Sequence, residues 1–256
     1  MTRTLSQTFL EKGYVILPAE NRQPLLTLKE AIFAQCQQVF DHAGDNADAF
    51  FDHFHTLQSA GADLNQQRQT LIQQSNAHID INRAIFNAFP KAIQTLLGPD
   101  LLVQKNVNLV ISPPQDPNNA ELHRDAPTNS LYEVVIWIPL VDCFKSKTVY
   151  VLDVNQSDAI FQSLGDEQQN WPELVKTAER EGTPATVPFG SALFFWAGLF
   201  HGSKQNQEET TRWTLNTRFK SAFAPAGQKD PYSFYDVFQL SAVTRLALDA
   251  EKRELM

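Results

Sequence analysis

"SALFFWAGLFHGSKQNQEETTRWTLNTRFKSAF" (191–223) holds two aromatic-rich, apolar runs around a polar connector. Residues 191–201 and 211–223 read as strands, and "GSKQNQEET" between them has no apolar side chain and reads as a turn. In the second strand Arg212, Thr214, Asn216, Arg218 and Lys220 fall on one face, and Trp213, Leu215, Thr217 and Phe219 on the other. A cationic row along an otherwise apolar strand suits a wall that lines a wet cavity. Three further runs have strand character: "LLVQKNVNLVIS" (101–112), "LYEVVIWIPLV" (131–141) and "TVYVLDV" (148–154). The first alternates, with Gln104, Asn106 and Asn108 opposite Val103, Val107 and Leu109. Short strands separated by Pro, Gly and Asn clusters predict a β-barrel or jelly roll.

The first hundred residues differ in texture. "QPLLTLKEAIFAQCQQVF" (23–40) carries Leu26, Ile32, Phe33, Cys36 and Phe40 at mostly helical spacing. "NAHIDINRAIFNAFPKAIQTLLG" (76–98) predicts a helix capped by Asn76, kinked at Pro90 and stopped at Gly98. The stretch 41–55 is ambiguous. A lone helix is expected at 170–182, with Asn170 as cap, Pro172 in its first turn and Gly182 as stop. No repeat or linker is visible, so 256 residues read as one domain: helical support over 1–100, a β core over 101–225 and a C-terminal extension over 226–256. The expected fold is mainly β with flanking helices.

A net charge of −8 argues against nucleic acid as the main partner, because phosphate binding needs a basic surface. No run approaches the roughly 20 apolar residues of a membrane helix, and no secretory signal is visible, which makes the cytoplasm the expected compartment. Cys36 and Cys143 are too few and too far apart for a disulfide framework or a zinc knuckle, and read as reduced packing thiols.

Upstream of the hairpin, "ELHRDAP" (121–127) sets His123 and Asp125 two residues apart, on one face of an extended segment. One imidazole and one carboxylate leave a divalent metal incomplete. Of the other histidines, His42, His53, His55 and His78 lie in the helical half, and His201 alone ends a downstream strand. Strands distant in sequence meet across a barrel, so His123, Asp125 and His201 form a candidate 2-His-1-carboxylate metal site, the ligand set of non-heme Fe(II) oxygenases. Taken alone, H-x-D is a weak signal. Arg212, eleven residues after His201, adds to it, because a guanidinium on the polar strand face suits bidentate binding of a carboxylate. The competing reading for Arg212 is a rim salt bridge with Glu208 or Glu209.

"HRD", "HGSKQN" and "TTRW" together resemble the phytanoyl-CoA dioxygenase-like Fe(II)/2-oxoglutarate oxygenases. "YEVVIWIPLVDCFKSKTVYVL" with "HGSKQNQEETTRWTLNTRFKS" is similar to their sporadic carbohydrate cluster branch, over roughly residues 100–240. Lys204 departs from the glycine common there in the wider superfamily, which touches the pocket rim rather than the metal set. The resemblance implies a double-stranded β-helix core of jelly-roll, cupin-like form, with helices packed outside. It implies Fe(II) held by His123, Asp125 and His201, with O2 and 2-oxoglutarate as cosubstrates and succinate and CO2 as products. Arg212 would anchor the distal carboxylate, helped by Ser203 or Thr148, and Asn108 would lie near the cosubstrate. Asp at 125, where related halogenases carry Ala or Gly, implies hydroxylation, desaturation or epimerisation rather than halogenation. The implied substrate is a carbohydrate-related small molecule, a sugar or nucleotide sugar.

Weaker candidates for substrate contact are Gln104, Asn106, Arg124, Asn216 and Arg218. Lys145 and Lys147, with Arg124 and Arg218, could receive a phosphate or acidic sugar, although a solvated turn is the better account of the two lysines. "HFH" at 53–55 lacks a carboxylate-bearing β context for a second metal. Trp137, Trp196 and Trp213 read as core, with sugar stacking as the other use of such a ring. Two rival functions remain: a cupin-like sugar isomerase or epimerase, and a non-catalytic binding barrel. The first gives no reason for an arginine eleven residues beyond the metal histidine, and the intact His123, Asp125, His201 and Arg212 speak against the decayed site that the second implies.

Overall fold

The structure is a computed structural model that describes residues 3–40, 44–57, 64–164 and 170–254. His42 lies outside the described residues. In chain order the elements are α1 (Leu5–Lys12), β1 (Tyr14–Pro18), α2 (Gln23–Val39), α3 (Ala47–Leu57), α4 (Leu64–His78), α5 (Ile81–Ala88), α6 (Pro90–Leu97), β2 (Leu101–Gln104), β3 (Asn108–Ser112) and β4 (Glu133–Pro139). Then come β5 (Val149–Val151), α7 (Val154–Ser163), α8 (Trp171–Glu181), β6 (Thr183–Pro184), β7 (Ser191–Trp196), β8 (His201–Ser203), β9 (Arg212–Ser221), α9 (Pro231–Phe234), β10 (Tyr235–Gln239) and α10 (Ala242–Glu254). None of these helices is long and apolar enough to cross a membrane.

Seven strands form the larger sheet in the order β1-β7-β4-β9-β2-β10, with β3 also paired to β9, and a smaller sheet runs β6-β5-β8. All the pairings are antiparallel. Side chains from both sheets line one cavity, so the sheets face each other as the two layers of a jelly roll, with the helices outside. Mainly β with flanking helices is the architecture found.

β9 explains how one strand serves both the core and the cavity. On one face Trp213 is fully buried, with ring centroids 5.8, 5.0 and 5.1 Å from Phe50, Phe51 and Phe54 of α3. The opposite face, from Arg212 to Arg218, lines the cavity. From Ala47 on, the ambiguous segment is thus an aromatic helix clamped to the back of the cavity wall. α2 buries Leu25, Leu28, Ile32, Phe33 and Cys36 at helical spacing, whereas Leu26 is 39% exposed.

Several local expectations need correction. The 76–98 segment is three pieces rather than one kinked helix, and Asp80, not Asn76, caps α5 by accepting from Arg83 N. The Asn76 side chain instead donates to Val107 O at 3.0 Å and accepts from Val107 N at 2.7 Å. That clamp sits where the expected strand 101–112 breaks. Between Val103↔Phe219 and Asn108↔Asn216, five steps on one chain face three on β9, so the extra residues loop out. The run 191–201 likewise splits into β7 and β8. "TVYVLDV" ends early because Asp153 caps a helix absent from the sequence reading, α7. In the N-terminal hundred residues β1 is a strand, paired to β7, and in the C-terminal extension β10 joins β2.

Candidate metal centre and cavity

"ELHRDAP" is not a regular strand. His123 makes a single antiparallel bridge to His201, with His123 N donating to His201 O at 3.0 Å and His201 N to His123 O at 2.9 Å, and the chain turns directly afterwards. That bridge places the two imidazole centroids 4.3 Å apart. Among the described residues the one set of three potential metal-ligating side chains is His123, Asp125 and His201, with donor atoms all within 4.8 Å of one another. The i, i+2 reasoning therefore reached the right juxtaposition through a bridge and a turn.

The donor atoms are also set chemically. Nδ1 of His123 lies 2.7 Å from Glu121 O, and Nδ1 of His201 lies 3.0 Å from Leu199 O. A carbonyl only accepts, so each Nδ1 carries a proton, and in the neutral ring Nε2 keeps the lone pair. Burial, reinforced by the neighbouring His123, pushes the His201 pKa down to about 4 and keeps that ring neutral, as a ligand must be. Asp125 accepts from Nε and NH2 of Arg218 at 3.0 and 2.8 Å, both on Oδ2, which leaves Oδ1. Two free Nε2 atoms and one carboxylate oxygen match what a 2-His-1-carboxylate metal needs.

Beside this centre lies a cavity of about 450 Å³, within the usual size for a small-molecule site. Val110, Val135, Trp137, Val149 and Phe195 form its apolar lining, and Asn108, Asn118, Asn119, Ser203, Thr214 and Asn216 its polar one. Arg212 also lines it and is 4% exposed. NH1 of Arg212 donates to Thr148 O at 3.2 Å, while Nε has no partner, and among the described residues no carboxylate forms an ion pair with it. The rim salt bridge with Glu208 or Glu209 is not formed: Glu208 accepts from Ser146 and pairs with Lys145. Burial works against the guanidinium charge. A buried cation with an unused donor on a cavity wall is a costly arrangement without an anion to meet it.

The other candidates distribute as follows. Ser203 lines the cavity, and its Oγ accepts from Ala120 N, so its own hydroxyl proton is free. The Thr148 hydroxyl is spent on Ala185 O, and only its carbonyl reaches Arg212. Asn108 donates to Asn216 Oδ1 at 2.9 Å across β3 and β9, and both line the cavity. Gln104 lies behind the wall, where it accepts from Arg218 NH1 at 2.7 Å, and its amide donates to Asn106 O. The structure does not bring Asn106 or Arg124 to the cavity lining; Arg124 lies 4.1 Å over the Phe161 ring. Lys147 is not a solvated turn residue: it is 2% exposed and donates to Thr210 Oγ1, whereas Lys145 is exposed. Trp137 belongs to the cavity as well as to the core, and Trp196 is half-buried with Nε1 donating to Leu131 O. Both cysteines are buried, and burial pushes the Cys143 pKa up to about 12, consistent with packing thiols.

Three polar cavity residues were not among the sequence candidates for the site. Thr214, two residues beyond Arg212 on the same face, has a buried hydroxyl with no partner and lines the cavity. The alternation of β9 carried that signal. Asn118 and Asn119 come from a loop whose placement no local pattern announces.

No family model matches the sequence, and no curated protein does. Solved structures do. The non-heme monooxygenase ThoJ, in its Ni complex, matches at a TM-score of 0.52 and 18% identity, covering 96% of this chain and 93% of that one. SnoK, a non-heme alpha ketoglutarate dependent carbocyclase from nogalamycin biosynthesis, matches at 0.55 and 14%, covering 89% and 87%. EctD from S. alaskensis, with 2-oxoglutarate and 5-hydroxyectoine, matches at 0.59 and 14%, covering 94% and 86%. At these identities the likeness carries the fold: the jelly-roll core is shared with non-heme oxygenases nearly end to end.

Proposed function

We propose that this protein is an Fe(II)- and 2-oxoglutarate-dependent oxygenase acting on a small molecule. The observation that carries the reading is the pairing of a ready metal-ligand set with a buried, unpaired guanidinium on the same cavity. Fe(II) with 2-oxoglutarate and O2 supplies a two-electron oxidation of substrate, with succinate and CO2 released. The chain's own residues do the rest. Carbonyls of Glu121 and Leu199 hold the two imidazoles with Nε2 toward the metal position. Arg212, with Thr214 and Ser203 beside it, meets the distal carboxylate of the 2-oxo acid. Val135, Trp137, Val149 and Phe195 exclude water from the reacting region. The amides of Asn108, Asn119 and Asn216 orient a substrate that carries hydroxyl groups. A carbohydrate-related substrate, a sugar or nucleotide sugar, rests on the resemblance of residues 100–240 to the sporadic carbohydrate cluster oxygenases. Oxygen insertion is one outcome, and ring closure is another, given the carbocyclase among the structural neighbours.

The test is succinate formation by purified protein given Fe(II), 2-oxoglutarate and O2, without substrate. Slow uncoupled turnover is expected, and it should vanish in His123→Ala, Asp125→Ala and His201→Ala proteins that remain folded. Full succinate production by any one of the three would remove that residue from the metal set. A complete lack of 2-oxoglutarate turnover in the unmodified protein would favour the binding-barrel or isomerase reading.

A further inference from the structure

Arg212 and Arg218 stand six residues apart on the same face of β9, yet their surroundings divide their work. Among the described residues Arg212 has no carboxylate partner. Arg218 has all three of its nitrogens engaged: Nε and NH2 on Asp125 Oδ2, and NH1 on Gln104 Oε1. The side chains of Arg218 and Asp125 are only 11% and 8% exposed, so water screens the pair little. Gln104 is fixed in turn. Its side-chain amide donates to Asn106 O, its backbone carbonyl accepts from Asn82 Nδ2 at 2.8 Å, and in the sheet it stands opposite Tyr235 of β10.

We propose that Arg218 is a positioning residue that presets Asp125 as a one-oxygen ligand: it occupies Oδ2 and leaves only Oδ1 to the metal, with Gln104 holding its guanidinium in register. The proposal rests on the metal reading given above. Its consequence follows from counting positions. A metal held by two imidazoles, one carboxylate oxygen and a chelating 2-oxo acid would have one of six positions left. A second Asp125 oxygen would fill the corner that O2 needs. Both N–H groups on one oxygen favour the single-oxygen arrangement, which a lone point charge such as an ammonium does not enforce. The same geometry means that Arg218 is not a spare cation for an anionic substrate, so among the described lining residues Arg212 is the arginine left for a carboxylate.

Co(II) serves as the probe, titrated anaerobically into the full-length protein with 2-oxoglutarate present. Affinity and the visible absorption bands are both read. Arg218→Gln should weaken Co(II) binding by about ten- to a hundredfold, the usual effect of losing a partner of a ligating group. It should also shift the visible bands, because the released carboxylate can turn and chelate. Arg218→Lys should recover part of the affinity but not the native spectrum, a split that a purely structural role would not produce. Gln104→Ala, which removes one brace and leaves the ion pair, should move both readouts the same way by less, and it keeps the test open if Arg218→Gln fails to fold. Unchanged affinity and spectrum in Gln104→Ala and Arg218→Gln would overturn the proposal. So would tighter Co(II) binding by Arg218→Gln, since Arg218 would then be competing with the metal for Asp125. Failure of the unmodified protein to bind Co(II) would overturn the metal reading itself, a result distinct from the other two.

Discussion

At the scale of single residues, the two arginines of β9 make opposite predictions. Arg212→Ala should raise the KM for 2-oxoglutarate while metal affinity stays near its native value. Losing one partner of a buried charge pair costs about 2–5 kcal/mol, and the lower figure alone is roughly a thirtyfold weakening. Arg212→Lys should also be poor, because an ammonium cannot make the paired contact. A normal KM for Arg212→Ala would move the carboxylate anchor elsewhere in the cavity. A second residue-scale prediction concerns Asp125. With an anionic oxygen in the ligand set, chloride has no vacant position, so product made in high chloride should contain none by mass spectrometry once a substrate is known. A chlorinated product from the unmodified protein would mean that Asp125 does not ligate. The metal set was legible in the sequence because its members are chemically scarce: of six histidines, two stand two residues before an aspartate, His78 in the helical half and His123 in the β half, and one ends a strand eleven residues before an arginine. The division of labour between Arg212 and Arg218 was not legible, since it depends on Gln104, brought from a different strand.

At the scale of elements, an unbroken β-branched and aromatic run predicted β4, and alternation predicted β9, because that strand is long and its two faces differ in kind. It failed over 101–112, where β2 and β3 are separate strands. The cause is a helix side chain, Asn76, that takes both backbone groups of Val107; no pattern within the strand encodes a partner thirty-one residues away. The same limit hid α3, whose Phe50, Phe51 and Phe54 show their purpose only against Trp213. That contact gives a prediction for the element. Trp213→Ala removes a fully buried ring and should destabilise the protein by about 3–5 kcal/mol in denaturant titration. The loosened wall should also weaken 2-oxoglutarate binding, because Arg212 is the adjacent residue. A loss below about 1 kcal/mol would mean that α3 does not depend on this strand.

At the scale of the whole molecule, a side chain of β10 reaches β4, which lies more than ninety residues earlier in the chain. Glu133 of β4 is 0% exposed and accepts from Tyr235 Oη of β10 and, at 3.2 Å, from Ser130 N. Its strand neighbour Lys220 does not neutralise it, since the ammonium donates to Ser221 O and Ala224 O instead. Burial raises the Glu133 pKa above its ordinary 4.5, and the Tyr235 and Ser130 hydrogen bonds and the Arg218 charge only partly oppose it. The sign of the linkage follows. The folded state holds this proton more tightly than the unfolded one, so the stability it contributes is full below about pH 4.5 and is lost as pH rises through the folded-state value. Glu133→Gln keeps a neutral acceptor for Tyr235 at every pH. The difference in melting temperature, variant minus unmodified, should therefore grow from pH 4.5 toward pH 8, whatever its value at the acid end. Subtracting the two proteins cancels other titrating groups, Lys220 included, to the extent that they do not couple to Glu133. A difference that stays flat with pH, or shrinks, would mean that Glu133 is ionised in the folded state and is held by a charge that its hydrogen bonds do not reveal.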